Sequence, residues 1–348
     1  MRIVCLEEHL TDKGLGAATK PALARIAPYM TDQGNRSQDP SPLGANLPRQ
    51  IGPADAQKLA GAPVDHRLPA MDEHGIDAQM LSYSDPLQLA PAADAVALAR
   101  HANDRLADAV ARHPDRFGGF CALPWQDPDA AVRELERCVR ELSLRAVMLI
   151  GRPGETAFID DPRYAPVLAK CEELGAPLYI HPGSPLSAVQ LFYYAGFDRE
   201  MTARLSLFGW GWHNEAGVQV VRLILSGALD RHPGLRIISG HWGEMVPFWL
   251  QRLDDTLPRG ATGLSRTVGQ TYRDQVYVTP SGMLYLPHFR FIRELLGPER
   301  IMFSVDYPYV SMNGARRWLE ALPVPDAERA GIAHGNWERL IGRKGNGA

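Results

Sequence analysis

An α/β fold, and within that class a (β/α)8 TIM barrel, is what the sequence predicts, and three observations predict it. Eight short β-rich runs recur along the 348 residues, amphipathic helical patterns separate them, and no G-x-G-x-x-G follows the first run. Alternating strands and helices imply parallel β/α units, eight such units suit a closed barrel, and the missing glycine signature removes the main argument for an open dinucleotide-binding sheet. A single barrel domain over 1–348 is therefore expected, since barrels of this size are common.

The first run, RIVCL (2–6), is apolar and ends abruptly in Glu7, Glu8 and His9. Side chains alternate along a strand, so Glu7 and His9 share one face and Glu8 takes the other. Residues 10–70 exceed ordinary connector length, hold eight prolines, and are expected as a long loop insertion after the first strand. DAQMLS (77–82) follows, then a helical pattern over 93–112 and the run FGGFCAL (117–123). The helix over 127–143 is the clearest. Asp127 caps it, Pro128 takes the first helical position, and Ala131, Leu135, Cys138 and Leu142 trace one apolar stripe. AVMLI (146–150), a helix over 162–174 and PLYIH (177–181) come next. Residues 182–215 form the second expected insertion, after the fifth strand. With Phe192, Tyr193, Tyr194, Phe197, Phe208, Trp210 and Trp212 the segment is too aromatic for a solvated linker and suits a cap over a site or a subunit interface. Its GWGWHNEAG lacks a preceding strand and is not read as a phosphate loop. A helix over 217–231 leads to LRIISGH (235–241), VYVTPS (276–281), IMFSVD (301–306) and a last helix over 326–341.

Composition narrows the function class. The chain is 45% hydrophobic and 22% charged with a formal charge of −3 and no basic block, so neither nucleic acid nor an anionic membrane is expected as a partner. Four cysteines (5, 121, 138 and 171) show no C-x-x-C spacing, Cys5 and Cys121 read as small buried residues of apolar runs, and a reducing compartment is expected. No leader pattern and no run of 18 apolar residues is visible, and a soluble cytoplasmic protein is expected.

A barrel carries its chemistry at the C-terminal ends of its strands. Strand one ends in Glu7-Glu8-His9, strand five in His181, strand six in His241 and strand eight in Asp306. A lone histidine after a strand is usually structural, and an aspartate before Tyr-Pro usually forms a turn. Four ligand-type ends on one rim are explained more simply by one metal site made of Glu7, His9, His181 and Asp306. Two carboxylates and two imidazoles suit Zn²⁺ or Mn²⁺, and the absence of thiolates argues against a purely structural zinc. His241 has Glu244 three residues on, able to fix its tautomer, and Arg252 follows on a helical pattern. Arg252 suits either a substrate carboxylate or a surface salt bridge to Asp254 or Asp255.

With these residues in place, the chain resembles the amidohydrolase superfamily, in the branch of aminocarboxymuconate semialdehyde decarboxylase and the γ-resorcylate (dihydroxybenzoate) decarboxylases. LEEH looks like the Glu-x-His variant of that subgroup. HPDRFGGFCALPWQDPDAAVRELERCV, YIHPGSP, RLILSGALDRHPGLRIISGHWGEMVPFWLQRLD, YVTPSG, ERIMFSVDYPY and HGNWERLIG extend the likeness over most of 71 to the end. The resemblance implies metal ligands Glu7, His9, His181 and Asp306, a catalytic His241 backed by Glu244, and Arg252 as a substrate or network residue. It further implies a distorted form of the (β/α)8 barrel, one divalent Zn²⁺ or Mn²⁺, no organic cofactor, and a homodimer or homotetramer. Residues 10–70 and Gly183 depart from the subgroup's pattern, so the substrate is the least constrained expectation.

Two reactions suit such a site. The leading expectation is non-oxidative decarboxylation of a hydroxylated aromatic carboxylic acid, with Asp306 protonating the ring carbon and His241 handling a ring-hydroxyl proton. Trp210 is expected to stack on the ring. The alternative is hydrolysis of an ester, lactone or amide by metal-activated water. A metal-stabilised binding protein without catalysis is a third class, against which Asp306 and His241 both speak.

Overall fold

Strands that are buried on both faces read as continuous apolar runs, and here such runs assemble in sequence order into one parallel sheet. The computed structural model describes residues 1–32 and 47–342. Among these, the sheet contains β1 (Val4–Leu10), β2 (Ala78–Tyr83), β3 (Phe117–Cys121), β4 (Ala146–Ile150), β5 (Leu178–His181), β6 (Ile237–Ser239) and β7 (Val276–Val278), each hydrogen-bonded to the next. The eighth expected run, 301–306, forms no ladder strand. It joins the sheet's two edges through single bridges, Leu6 with Ser304 and Val278 with Ile301. Side chains occupy the ladder positions it would need: the Val305 N–H donates to Glu8 Oε1 at 3.0 Å, and Ser304 Oγ accepts the Ser281 N–H at 2.8 Å. The architecture is a barrel-like curl of seven parallel strands.

The interior of the curl is filled by Val4, Leu6, Phe120, Met148, Tyr179, Ile238 and Met302. A second, larger apolar layer lies between sheet and helices and takes Cys5 and Leu10 from β1. Strict alternation from Val4 and Leu6 would therefore send Glu7 outward. A bulge prevents this: the register with β2 shifts between Cys5 and Glu8, and Glu7 adopts φ +61°. One extra residue re-aims the strand, so that Glu7 and His9 face inward with Leu6 while Glu8 faces outward.

The helix Pro128–Arg140 forms as its capping signals require, with Asp127 accepting the Ala130 N–H at 3.0 Å and Ala131, Leu135 and Cys138 buried. It stops three residues short of the expected end. The helix Ala92–Arg112 matches its pattern, while the last segment divides into Asp326–Ala330, a π-turn and Asn336–Gly342. No helix among the described residues is long and apolar enough to cross a membrane.

The two segments expected as loops carry helices. The first holds Lys13–Ile26, capped by Asp12, then Pro53–Ala60 and Leu68–His74; residues 33–46 lie outside the described part. The second holds a π-turn Gln190–Tyr194 and a helix Arg199–Ser206. The two segments are tied together. Buried Gln190 donates to Ile26 O at 2.6 Å and to Pro185 O at 2.7 Å, and Arg199 pairs with Asp32 at 2.7 Å.

Candidate metal centre

Ends of β1 and β5 and the segment after Val305 place four side chains at one point. Glu7, His9, His181 and Asp306 each offer a ligand atom, all within 4.8 Å of one another. His9 Nε2 lies 3.3 Å from Asp306 Oδ1, and His181 Nε2 lies 3.5 Å from Glu7 Oε1. Buried polar atoms normally find partners, yet Glu7 Oε1, His9 Nε2 and Asp306 Oδ1 have none among the described residues. The opposite side of each ligand is anchored. His181 Nδ1 donates to Pro182 O at 2.8 Å, His9 Nδ1 meets Ser82 Oγ at 3.0 Å, and Glu7 Oε2 accepts from the Ser281 and Ser304 hydroxyls. Such outer bonds direct the Nε2 lone pairs inward. Two carboxylates and two imidazole nitrogens converging on one point fit a divalent cation.

The electrostatics agree. Burial drives the His181 pKa down to about 3, so its ring is neutral and its lone pair free. Burial pushes Asp306 up, but the neighbouring His241 and His9 imidazoles prevail and hold it at about 2. Burial raises Glu7, with His241 opposing.

His241 stands beside the four. Its Nε2 is 3.8 Å from Asp306 Oδ2, and its Nδ1 is 2.7 Å from Glu244 Oε1. Burial works against a charged His241, but the Glu244 and Glu7 carboxylates outweigh it and lift its pKa well above the usual imidazole range. Glu244 is held below its ordinary value, because His241 and His213 overcome the effect of burial.

Strain marks the same region. Of the eight non-glycine residues with positive φ among those described, all but Ser143 lie here: Glu7, His241, Trp242, Glu244, Met245, Ser281 and Asp306. Left-handed backbone at such residues costs about 1–3 kcal/mol each and persists where surrounding structure enforces it.

Two expected residues are not brought into this cluster. Arg252 is exposed on the helix Val246–Thr256, with no side-chain ion pair to Asp254 or Asp255 among the described residues; Asp254 instead accepts from Thr267 and Gly269. Trp210 is 46% exposed and caps the helix Gly211–Leu225. The helix thus begins inside the segment expected as a loop insertion. Sequence reasoning missed His213, whose Nδ1 lies 3.0 Å from Glu244 Oε2, and it missed Ser82, Ser281 and Ser304 behind the ligands. Only an imidazole within GWGWHNEAG hinted at the first; hydroxyls carry no comparable signal.

Known proteins share this geometry's setting. The amidohydrolase family matches residues 38–343. The γ-resorcylate decarboxylase of Rhodococcus jostii (strain RHA1) is 38% identical over 295 residues, covering 80% of this chain and 87% of its own. A dihydroxybenzoic acid decarboxylase of Polaromonas sp. JS666, solved with bound manganese and the inhibitor 2-nitroresorcinol, superimposes with a TM-score of 0.81 at 29% identity, covering 98% and 97% of the two chains. The 5-carboxyvanillate decarboxylase of Sphingomonas paucimobilis does so at 0.79 and 32%, covering 98% of each. On its fold, its rim of carboxylates and imidazoles and these matches, the chain belongs to the amidohydrolase family.

Proposed function

We infer that the protein is a metal-dependent, non-oxidative decarboxylase of a hydroxylated aromatic carboxylic acid, a carbon–carbon lyase. The observation that carries this is the convergence of Glu7, His9, His181 and Asp306, three of them with a buried unpartnered atom, beside a histidine–carboxylate pair, in a chain whose named relatives are decarboxylases. Glu7, His9, His181 and Asp306 would hold one divalent ion, and the manganese of the Polaromonas enzyme supports Mn²⁺ over Zn²⁺. No organic cofactor enters the reading. When bound, the ion supplies Lewis-acid stabilisation of negative charge on the substrate's carboxylate and neighbouring phenolic oxygen.

The chain's own residues supply the protons. An aryl carbanion is too high in energy to form freely, so the ring carbon must be protonated before CO₂ leaves. Asp306, low in pKa and hence strongly acidic once protonated, gives its proton to the carbon that bears the carboxylate. His241, held protonated by Glu244 and Glu7 and 3.8 Å from Asp306, supplies Asp306 with that proton and is itself reprotonated from solvent, which provides the one proton consumed for each CO₂ released. Glu244 holds the His241 ring so that Nε2 faces Asp306. The carbon–carbon bond then breaks, its electron pair restores the aromatic ring, and CO₂ departs. Trp210 and Arg252, both exposed, are the outer candidates for substrate contact. The same donors would serve hydrolysis, but the named relatives favour decarboxylation.

The reading extends to assembly and setting. We place the chain as one barrel domain that works as a homodimer or homotetramer, because Phe192 (80% exposed), Tyr193, Phe197, Phe248 (73%) and Trp249 leave large apolar area open. Four buried free cysteines fit a reducing cytoplasm. The decisive experiment is metal analysis of purified protein, then CO₂ release from hydroxybenzoates beginning with 2,6-dihydroxybenzoate. Metal-dependent CO₂ release supports the reading; ester or lactone turnover without decarboxylation across the panel overturns it.

A further inference from the structure

Glu244 is bonded to two histidines, and the mechanism above uses only one of them. Its Oε1 meets His241 Nδ1 at 2.7 Å and its Oε2 meets His213 Nδ1 at 3.0 Å. The two imidazoles also pack on each other, with ring centroids 4.3 Å apart. His213 is itself held at its far nitrogen. Trp212 Nε1 donates to His213 Nε2 at 3.1 Å, and Phe208 O lies 3.0 Å from the same atom.

These contacts determine where the His213 proton sits. An indole N–H can only donate, so beside Trp212 the Nε2 atom is an acceptor and Nδ1 carries the proton. If the ring is instead doubly protonated, Nε2 donates to Phe208 O, and Nδ1 again carries a proton. The remaining tautomer would aim the Nδ1 lone pair at a carboxylate oxygen 3.0 Å away, which is repulsive. Every permitted form donates from Nδ1 to Glu244.

We propose that His213 is a positioning residue for the decarboxylation, acting through Glu244 to fix the ring and tautomer of His241. Glu244 is fully buried and sits in a turn whose residues Trp242, Glu244 and Met245 all have positive φ. With only one oxygen bonded, the carboxylate would lose one of the two hydrogen bonds that fix its plane. His213 occupies the second oxygen, so Oε1 stays on His241 Nδ1 and His241 Nε2 stays toward Asp306. His213 arrives from the aromatic second insertion, so that segment contributes to the proton-handling group as well as to the surface.

The proposal rests on the proton-handling role of His241, and its test separates the two. His213→Asn keeps an N–H donor near the Nδ1 position, whereas His213→Ala removes it. In the manganese-loaded full chain assayed on 2,6-dihydroxybenzoate, His213→Ala is expected to lower kcat about 10–100-fold, the range usual for such supporting groups. Its KM, manganese content and affinity for 2-nitroresorcinol should stay within about twofold, and His213→Asn should recover most of kcat. An equal fall in both variants, an unchanged His213→Ala, or a loss confined to KM or metal would overturn the proposal. Wild-type protein without decarboxylase activity would sink the functional reading instead. In that event ring ¹⁵N NMR decides about His213, its signals assigned by comparison with His213→Asn: a protonated Nδ1 upholds the assignment, and a bare Nδ1 with protonated Nε2 refutes it.

Discussion

Glu7 and Glu8 are neighbours of identical chemistry that the bulge sends to opposite sides, and exchanging each for glutamine should produce opposite phenotypes. Glu8 accepts the Val305 N–H at 3.0 Å and a Gln79 N–H at 3.1 Å, and Gln79 in turn accepts from Arg67. Arg67 is buried, also donates to His9 O at 2.8 Å, and has its pKa lowered by burial to about 10 with Glu8 opposing the fall. Glu8→Gln sets one amide N–H₂ against another or against Val305 N–H. Glu8 and Arg67 meet only through Gln79, and burial pushes the Glu8 carboxyl well up, so the loss is that of buried hydrogen bonds, about 1–3 kcal/mol. Metal content should nevertheless remain near wild type. Glu7→Gln should do the reverse. Its buried charge is already penalised in the metal-free protein, so apo stability should hold or rise while metal binding is lost. Wild type gains about 2.7 kcal/mol at a metal concentration one hundred times Kd, and Glu7→Gln should gain none. Denaturant titration with and without manganese, beside elemental analysis, reads both effects. A Glu8 variant that loses metal at unchanged apo stability, with a Glu7 variant that keeps it, would refute the assignment of faces.

His241→Asn should purify with normal metal and lose on the order of 10²–10⁴ in kcat, since it removes proton transfer; a metal-free variant would make His241 a ligand. Asp85, next to the Asp12 N–H, is pushed by burial up to about 6. Its folded pKa exceeds the unfolded one, so the folded state binds the proton more tightly and stability falls as pH rises from about 4 to 6. Asp85→Asn should thus stabilise by up to about 3 kcal/mol at pH 7.5 and by almost nothing near pH 4; a pH-independent effect in denaturant titrations contradicts this. Sedimentation at low concentration should show a dimer or larger, and Trp210→Ala should weaken aromatic-acid binding without loss of metal; a monomer with unchanged ligand affinity removes both expectations.

The strand order, the rim positions of Glu7, His9, His181, His241 and Asp306, and the Asp127-capped helix were legible because each rests on local patterning. Alternation put Glu7 and His9 on one face, as they are, although the reason they face the interior is the bulge, which no residue of RIVCLEEH announces. His241 with Glu244 was visible from spacing. His213 was not, because its partner lies 31 positions away and it sits in the first turn of a helix that begins inside a segment expected as a loop insertion. The missing eighth ladder strand has the same origin: Glu8 and Ser304 capture backbone N–H groups through side chains, a choice that depends on tertiary placement. Helices within 10–70 escaped notice because its prolines sit at helix starts such as Pro53 and Pro69, where they are tolerated, as well as within Lys13–Ile26.

The extra residue in β1 also acts as a frame shift in three dimensions. Upstream of it, side chains are read in the phase that fills the barrel floor; downstream, in the phase that presents donors at the mouth. The two tasks are thereby uncoupled, and apolar positions 4 and 6 can vary for packing without rotating the donors. A motif graft onto another barrel must carry the bulge along with Glu7 and His9. Copied onto a regular strand, the same four letters would present Glu8 to the interior and bury His9 among the helices.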